Sequence, residues 1–193
     1  MTREQWLRDL TDAVRPKFLE ISMPLPNDVA VTCGWPSKSA TARKQRRIGE
    51  CWARSASSRG VNEVFISPVL ADTVEVAQVL VHELIHAADD NKHGHKGPFV
   101  KAQKALQLGG KPTATTTTPE FIAWITPLLA GEYPHGALTP GEGQKKQGTR
   151  MLKVACPDCD AEGEPYIVRM SATQLERGAS LCPFHQEPME AAL

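Results

Sequence analysis

Apolar residues recur at helical spacing near the start of the chain. Trp6, Leu10, Val14 and Phe18 fall four apart with Leu7 beside them, which predicts an amphipathic helix that covers a core. Pro16 is expected to end or kink it. Pro24, Pro26 and the Asn27-Asp28 pair then break the chain, and three strand candidates follow. They are Val29–Cys33, residues 47–52 after a polar loop, and residues 61–66 (V-N-E-V-F-I) after the Ser57-Ser58-Arg59-Gly60 turn. Short loops between them predict a three-stranded antiparallel sheet. Residues 73–88 are apolar on nearly every side, so this helix should be buried. Asp72 with Glu75 three residues on makes a capping-box-like start. The helix runs out at Asp89-Asp90-Asn91, where two acids oppose the helix dipole. A solvated face is the ordinary reading of that pair, and orientation of a ligand histidine from behind is the functional alternative.

Pro98 suits the first turn of a second helix, with Phe99, Ala102 and Leu106 as its stripe up to the Gly109-Gly110 stop. Residues 113–118 (T-A-T-T-T-T) read as a connector. Residues 119–129 read as a third short helix, interrupted near Pro127. Residues 131–150 are rich in Gly, Pro and Lys and poor in large aliphatics, the composition of a flexible linker. No repeat of 20–50 residues is present. Strands followed by helices give an α+β class, divided into a domain over 1–130, the linker over 131–150 and a small module over 151–193.

Of the 193 residues, 41% are apolar, enough for a real core, and the formal charge is zero. Global charge therefore argues for neither nucleic acid nor membrane. The halves differ, however: residues 1–150 hold 19 Lys/Arg against 15 Asp/Glu, and 151–193 hold 3 against 7. No run approaches the roughly 18 apolar residues of a membrane span, and the N-terminus has no secretory core. A cytoplasmic protein with no membrane partner is expected. Five cysteines, three in one C-terminal cluster, fit metal ligation in a reducing compartment better than a disulfide framework. Cys33 and Cys51 lack metal spacing and read as buried free thiols.

The chemistry starts at residues 79–86, V-L-V-H-E-L-I-H. His82 and His86 stand one helical turn apart on one face, so two imidazoles can grip one Zn²⁺, with the Glu83 carboxylate beside them in reach of a water on the metal. A bland core helix would not carry two His and a Glu, because buried ionisable groups cost free energy unless paired or metal-bound. A catalytic zinc usually takes a third protein ligand. His93, His95, Asp89, Asp90 and His135 are the candidates; metzincin spacing fails because Asp89 and Lys92 stand where it needs Gly and His. At the other end, Cys156 and Cys159 form one knuckle, and Cys182 and His185 a second, with 22 residues between them. That Cys₃His set is typical of a closed structural zinc site. A 43-residue module has too little core to fold without it.

His82-Glu83-x-x-His86 followed by Gly94-His95 and Phe99, with E-V-F-I-S-P at 63–68 before the helix, resembles the SprT-like zinc metalloprotease family of bacterial SprT proteins and Spartan. The resemblance covers roughly residues 29–108 and the trailing zinc ribbon; ribbons in this place usually carry four Cys, so His185 departs from the pattern. It implies a small zincin-type core with His82, His86 and His95 as ligands of a catalytic zinc, and Phe99 under the loop. It also implies Glu83 as general base of a metalloendopeptidase and a protein substrate that is DNA-associated or DNA-crosslinked. In such a site the bound water titrates near 7 and the three histidines must be neutral. Tyr133 is the nearest downstream candidate to stabilise an oxyanion. Arg43, Lys44, Arg46 and Arg47, joined by Arg54 and Arg59 and by Lys145, Lys146 and Arg150, form a candidate phosphate-contacting surface, although such runs are commonly just solvated. The rival reading is a non-catalytic, zinc-stabilised nucleic-acid or transcription-complex binding protein. The oligomeric state is not legible.

Overall fold

The Thr2 hydroxyl accepts a hydrogen bond from Gln5 N and caps α1 (Arg3–Glu20). In the computed structural model, which describes residues 1–140, 142 and 151–191, α1 continues past Pro16 to Glu20 rather than ending there. Burial explains the difference. Trp6, Leu7, Leu10, Val14 and Phe18 are all within 2% of full burial on both sides of the proline. Their packing outweighs the ~3 kcal/mol that an interior proline costs.

The sheet contains β1 (Val29–Cys33), β2 (Gly49–Trp52) and β3 (Asn62–Ile66) in the order β1-β3-β2. It is mixed, not antiparallel throughout: β1 pairs parallel to β3, and β2 antiparallel to β3. The loop over residues 34–48 is long enough to open β1 and β2 into a wide hairpin, and β3 enters the gap between them. β3 buries Asn62, Val64 and Ile66 and turns Glu63 and Phe65 outward, the alternation its sequence dictates. β2 is an edge strand.

Helix α2 (Thr73–Asp89) lies on the buried face, capped by Asp72 through Glu75 N at 2.8 Å. Every residue from Val76 to Ala87 is buried. The acids at its end are explained by neighbours, not by the dipole. Asp90 takes a left-handed conformation (φ 55°) and accepts from Arg54 N and Asn62 Nδ2, tying the helix end to β3. Asp89 faces His93.

After α3 (Pro98–Ala105) the chain forms a β-hairpin, β4 (Gly109–Lys111) against β5 (Ala114–Thr116), where composition suggested a connector. Gly110 makes the turn possible: its φ is +74°, and a Cβ there would stand 2.5 Å from the Ala114 carbonyl oxygen. α4 (Pro119–Ile125) follows, capped by Thr118. Residues 131–140, expected to be linker, are instead fastened to this unit. Tyr133 is buried edge-on against Trp6 at 5.2 Å, Trp6 Nε1 donates to the Gly131 carbonyl, and Leu138 N donates to Pro68 O. One aromatic side chain gives this Gly/Pro-rich stretch its anchor. Residues 143–150 of the expected linker, with Lys145, Lys146 and Arg150, lie outside the described residues.

The chain divides into two compact units, Met1–Glu142 and Gly143–Leu193. The second holds β6 (Met151–Ala155), α5 (Pro157–Ala161), β7 (Ile167–Ser171), α6 (Ala172–Arg177) and β8 (Glu190–Ala191), with an antiparallel sheet ordered β7-β6-β8. The whole is α+β. Among the described residues no helix is long and apolar enough to cross a membrane.

Candidate metal centres

In the first unit, α2 carries His82 and His86 on one face, and the turn at Gly94 (φ +52°) brings His95 to them. His95 Nε2 stands 3.2 Å from His86 Nε2 and 3.3 Å from His82 Nε2. Tetrahedral ligation with metal–nitrogen bonds of 2.0–2.1 Å requires a separation of roughly 3.3 Å. The three nitrogens therefore fit a small tetrahedral metal ion, and the group could hold one. The Phe99 ring lies 4.6–4.9 Å from all three imidazole centroids and forms the floor.

Each rejected ligand has another partner. His93 is exposed and pairs through Nδ1 with Asp89 at 3.1 Å. His135 meets Arg3 at Nδ1 and the Pro68 carbonyl at Nε2. Asp90 is spent on Arg54 and Asn62. Tyr133 is not in the cleft at all: it is buried in the core with its hydroxyl beside Cys33, and burial pushes its pKa up. It is removed as an oxyanion group.

Two residues that sequence reasoning passed over orient the ligands. His82 in its Nδ1–H form donates to Thr115 Oγ1 on β5 at 2.8 Å, which leaves Nε2 with a free lone pair. Gln78, one turn earlier on α2, fixes the same hydroxyl from 2.6 Å. His86 Nδ1 is buried without a hydrogen-bond partner. Burial, reinforced by the neighbouring imidazoles, holds His82 down at about 3; burial, then His95, holds His86 at about 4. Burial lowers His95 as well. All three are thus neutral near pH 7, as ligation demands.

Glu83 is 6% exposed, and burial lifts its carboxyl to about 8, opposed by Arg47 and assisted by Glu50. Gly49 on β2 faces it. A Cβ at Gly49 would overlap Glu83 Oε1 and stand 2.7 Å from Val79 Cγ1. Together these groups line a cleft of about 590 Å³ between β2, α2 and the hairpin. Cys51 is at its edge, its thiol raised by burial and then by Glu83, while Cys33 is in the core. Of the basic cluster, Arg43 and Lys44 point to solvent, whereas Arg46 and Arg47 line the cleft. Neither Thr115 nor Gly49 carried a signal in the sequence, since a Thr in a Thr-rich run and a Gly opening a strand are unremarkable.

In the second unit Cys156, Cys159, Cys182 and His185 converge. Cys159 Sγ lies 3.6 Å from Cys182 Sγ, and His185 Nδ1 lies 3.4–3.9 Å from the three sulfurs. Tetrahedral thiolate–imidazole ligation with metal–sulfur bonds near 2.3 Å places such atoms about 3.6–3.8 Å apart. This set also could hold a metal ion, and its four ligands fill the coordination shell. The other His185 nitrogen, Nε2, is 3.4 Å from the carboxylate of the largely exposed Glu162.

Comparisons of the chain with protein-family models, with curated proteins and with solved structures found no match.

Proposed function

We propose that the first unit is a zinc-dependent metalloendopeptidase of SprT-like type and that the second is a structural zinc ribbon. One observation carries the reading: three neutral imidazoles converge, with His95 Nε2 at tetrahedral spacing from the Nε2 atoms of His82 and His86, in a cleft that also holds a buried carboxylate and supplies no fourth ligand among the described residues. The four-ligand group is the contrasting case, saturated by protein. Imidazole nitrogens and thiolates both favour zinc among common cellular divalent ions. When bound at the three histidines, zinc supplies a Lewis acid that acidifies a water and polarises a carbonyl.

The remaining work belongs to the chain. With a divalent cation beside it Glu83 would be held as the carboxylate, and it would take the proton of the attacking water and deliver it to the leaving amine. Thr115 and Gln78 keep His82 in the ligating tautomer. Among the described residues β2 is an edge strand beside the cleft, where an extended polypeptide could add as a further strand, although the Cys51 carbonyl is already taken by Asn91 Nδ2. An open cleft of this kind suits a protein chain better than a small amide. Arg43 and Lys44, which face solvent, are the pair that would touch a phosphate backbone if the substrates are DNA-associated proteins.

The test is cleavage of casein and of histone by the zinc-loaded chain and by Glu83→Gln, with and without single-stranded DNA. We expect fragments from the wild type alone, with equal metal content in both. Cleavage that survives in Glu83→Gln, or no cleavage by a fully loaded wild type under any condition, would refute the reading.

A further inference from the structure

Glu50 is a buried carboxylate with no task in the chemistry proposed above. It is 9% exposed and accepts four hydrogen bonds. Ser37 N (2.7 Å) and Trp52 Nε1 (3.2 Å) donate to Oε2, while Ser37 Oγ (2.7 Å) and Arg47 Nη1 donate to Oε1. Four donors fill a carboxylate, so Glu50 has no capacity left for a ligand. What it can do is hold Arg47. A guanidinium has five N–H donors, and Arg47 gives one to Glu50. The rest of that side chain, 46% exposed, lines the cleft with Glu83 and His95. Arg46 lines the same cleft, its Nε bonded to the Ala42 carbonyl. Against these two cations the cleft has Glu50, already saturated, and Glu83, which is buried. A fixed guanidinium with open donors beside a cleft is built to receive a planar anion.

We infer that Arg47, held in place by Glu50, is a specificity-determining residue that receives the carboxylate of an Asp or Glu side chain on the polypeptide in the cleft. The location of that side chain next to a bond to be cut rests on the peptidase reading; the carboxylate site itself does not. Arg46 adds charge at the mouth. Both arginines thereby leave the candidate phosphate surface, which reduces to Arg43 and Lys44 in this loop.

The inference is tested first by binding, in zinc-loaded full-length Glu83→Gln, which cannot consume the probe. Two fluorescein-labelled peptides are compared by anisotropy, acetyl-Ala-Ala-Glu-Ala-Glu-Ala-Ala and its twin with Gln in place of Glu. The acidic peptide should bind on the order of tenfold more tightly, with the difference eroding as salt is raised. Adding Arg47→Gln should abolish the difference, and Arg47→Lys, which keeps a cation for Glu50, should retain part of it. Equal affinity of the two peptides for the Glu83→Gln chain overturns the inference without recourse to any Arg47 variant. So does an Arg47-dependent preference for a short oligonucleotide over the acidic peptide. With Glu83 intact, the ratio of kcat/KM for the Glu peptide over the Gln peptide should fall toward one in Arg47→Gln. An equal loss on both peptides would assign Arg47 to an oxyanion common to all substrates and also overturns it. Salt-sensitive, Arg47-dependent binding without any cleavage sinks the peptidase reading alone and upholds the carboxylate site.

Discussion

Under the peptidase proposal, Gly49→Ala is the smallest change that should separate the base, Glu83, from the ion at the three histidines. The new Cβ would overlap the Glu83 carboxylate oxygen and approach Val79 Cγ1 to 2.7 Å and Glu83 Cγ to 2.9 Å. Carbon atoms pack best at about 3.5–4.0 Å, so something must move by the better part of an ångström. Val79 and Glu83 sit on α2, which is buried on all sides and cannot yield. The give must come from the edge strand or from the Glu83 side chain. Overpacking of this size costs about 1–3 kcal/mol, readable as a lower midpoint in urea unfolding at unchanged slope. A catalytic group displaced by about 1 Å loses on the order of a hundredfold in rate. Gly49 does not touch the imidazoles through this Cβ, so metal affinity should be preserved, as measured by competition with a chromophoric chelator. Unchanged stability and unchanged turnover would show that Gly49 is not the cradle of Glu83. Loss of metal alongside activity would show that the damage is general.

Thr115→Val removes the acceptor of His82 Nδ1 and of Gln78 while keeping shape; metal affinity at the three-histidine site should fall roughly 10- to 100-fold, and Thr115→Ser should restore most of it. In the metal-free chain two opposite linkages meet. His82 and His86, held near 3 and 4 in the fold, take up protons only when unfolded between those values and about 6.5, so stability falls as pH drops through that window. Glu83, lifted to about 8, keeps a proton in the fold that the unfolded chain releases above about 4.5, so its contribution declines as pH rises. Stability should therefore peak near pH 6.5 and decline by at most ~2 kcal/mol toward pH 8, one proton over 1.5 pH units. Glu83→Gln should flatten that decline in pH-dependent urea melts. Chelation should abolish hydrogen-exchange protection in 151–191 and leave that of α1 and α2 largely intact; equal loss in both units would contradict the proposal that an ion at the four-ligand group is structural and one at the three histidines is not.

Patterns that depend on neighbours in the chain were legible. The stripe of α1, the burial of α2 and the x₂ knuckles follow from spacing alone, because a helix turn or a tight loop fixes who meets whom. What was not legible depends on contacts far apart in sequence. The parallel pairing of β1 with β3 is invisible locally, since each strand reads the same in either direction. The β4–β5 hairpin hides in a Thr-rich run, and its role emerges only when Thr115 meets His82, 33 residues away. Tyr133 is a single aromatic in a stretch whose average composition is that of linker, and averages do not see one anchor. Arg46 and Arg47 belong to a basic run whose outward members set its character; only the fold separates the pair that faces the cleft.

The two histidine-bearing groups could each hold a metal ion through a different ligand set, three imidazoles in one and three sulfurs with one imidazole in the other, and their surroundings differ as well. Around the first, 25 buried apolar residues among those described form one core, enough to hold α2 and the hairpin in place whether or not an ion is present. His82 and His86 are buried neutral at a desolvation cost that the core absorbs, and metal binding finds its ligands already arranged. Around the second, the buried cluster among the described residues contains six, three of which are the cysteines themselves. The Cys159 and Cys182 sulfurs, 3.6 Å apart, can both ionise only with a cation between them, so an ion bound there would do what the core does in the first unit. A centre that is preformed can leave a coordination position for chemistry; one that must hold its own fold together uses every position for protein.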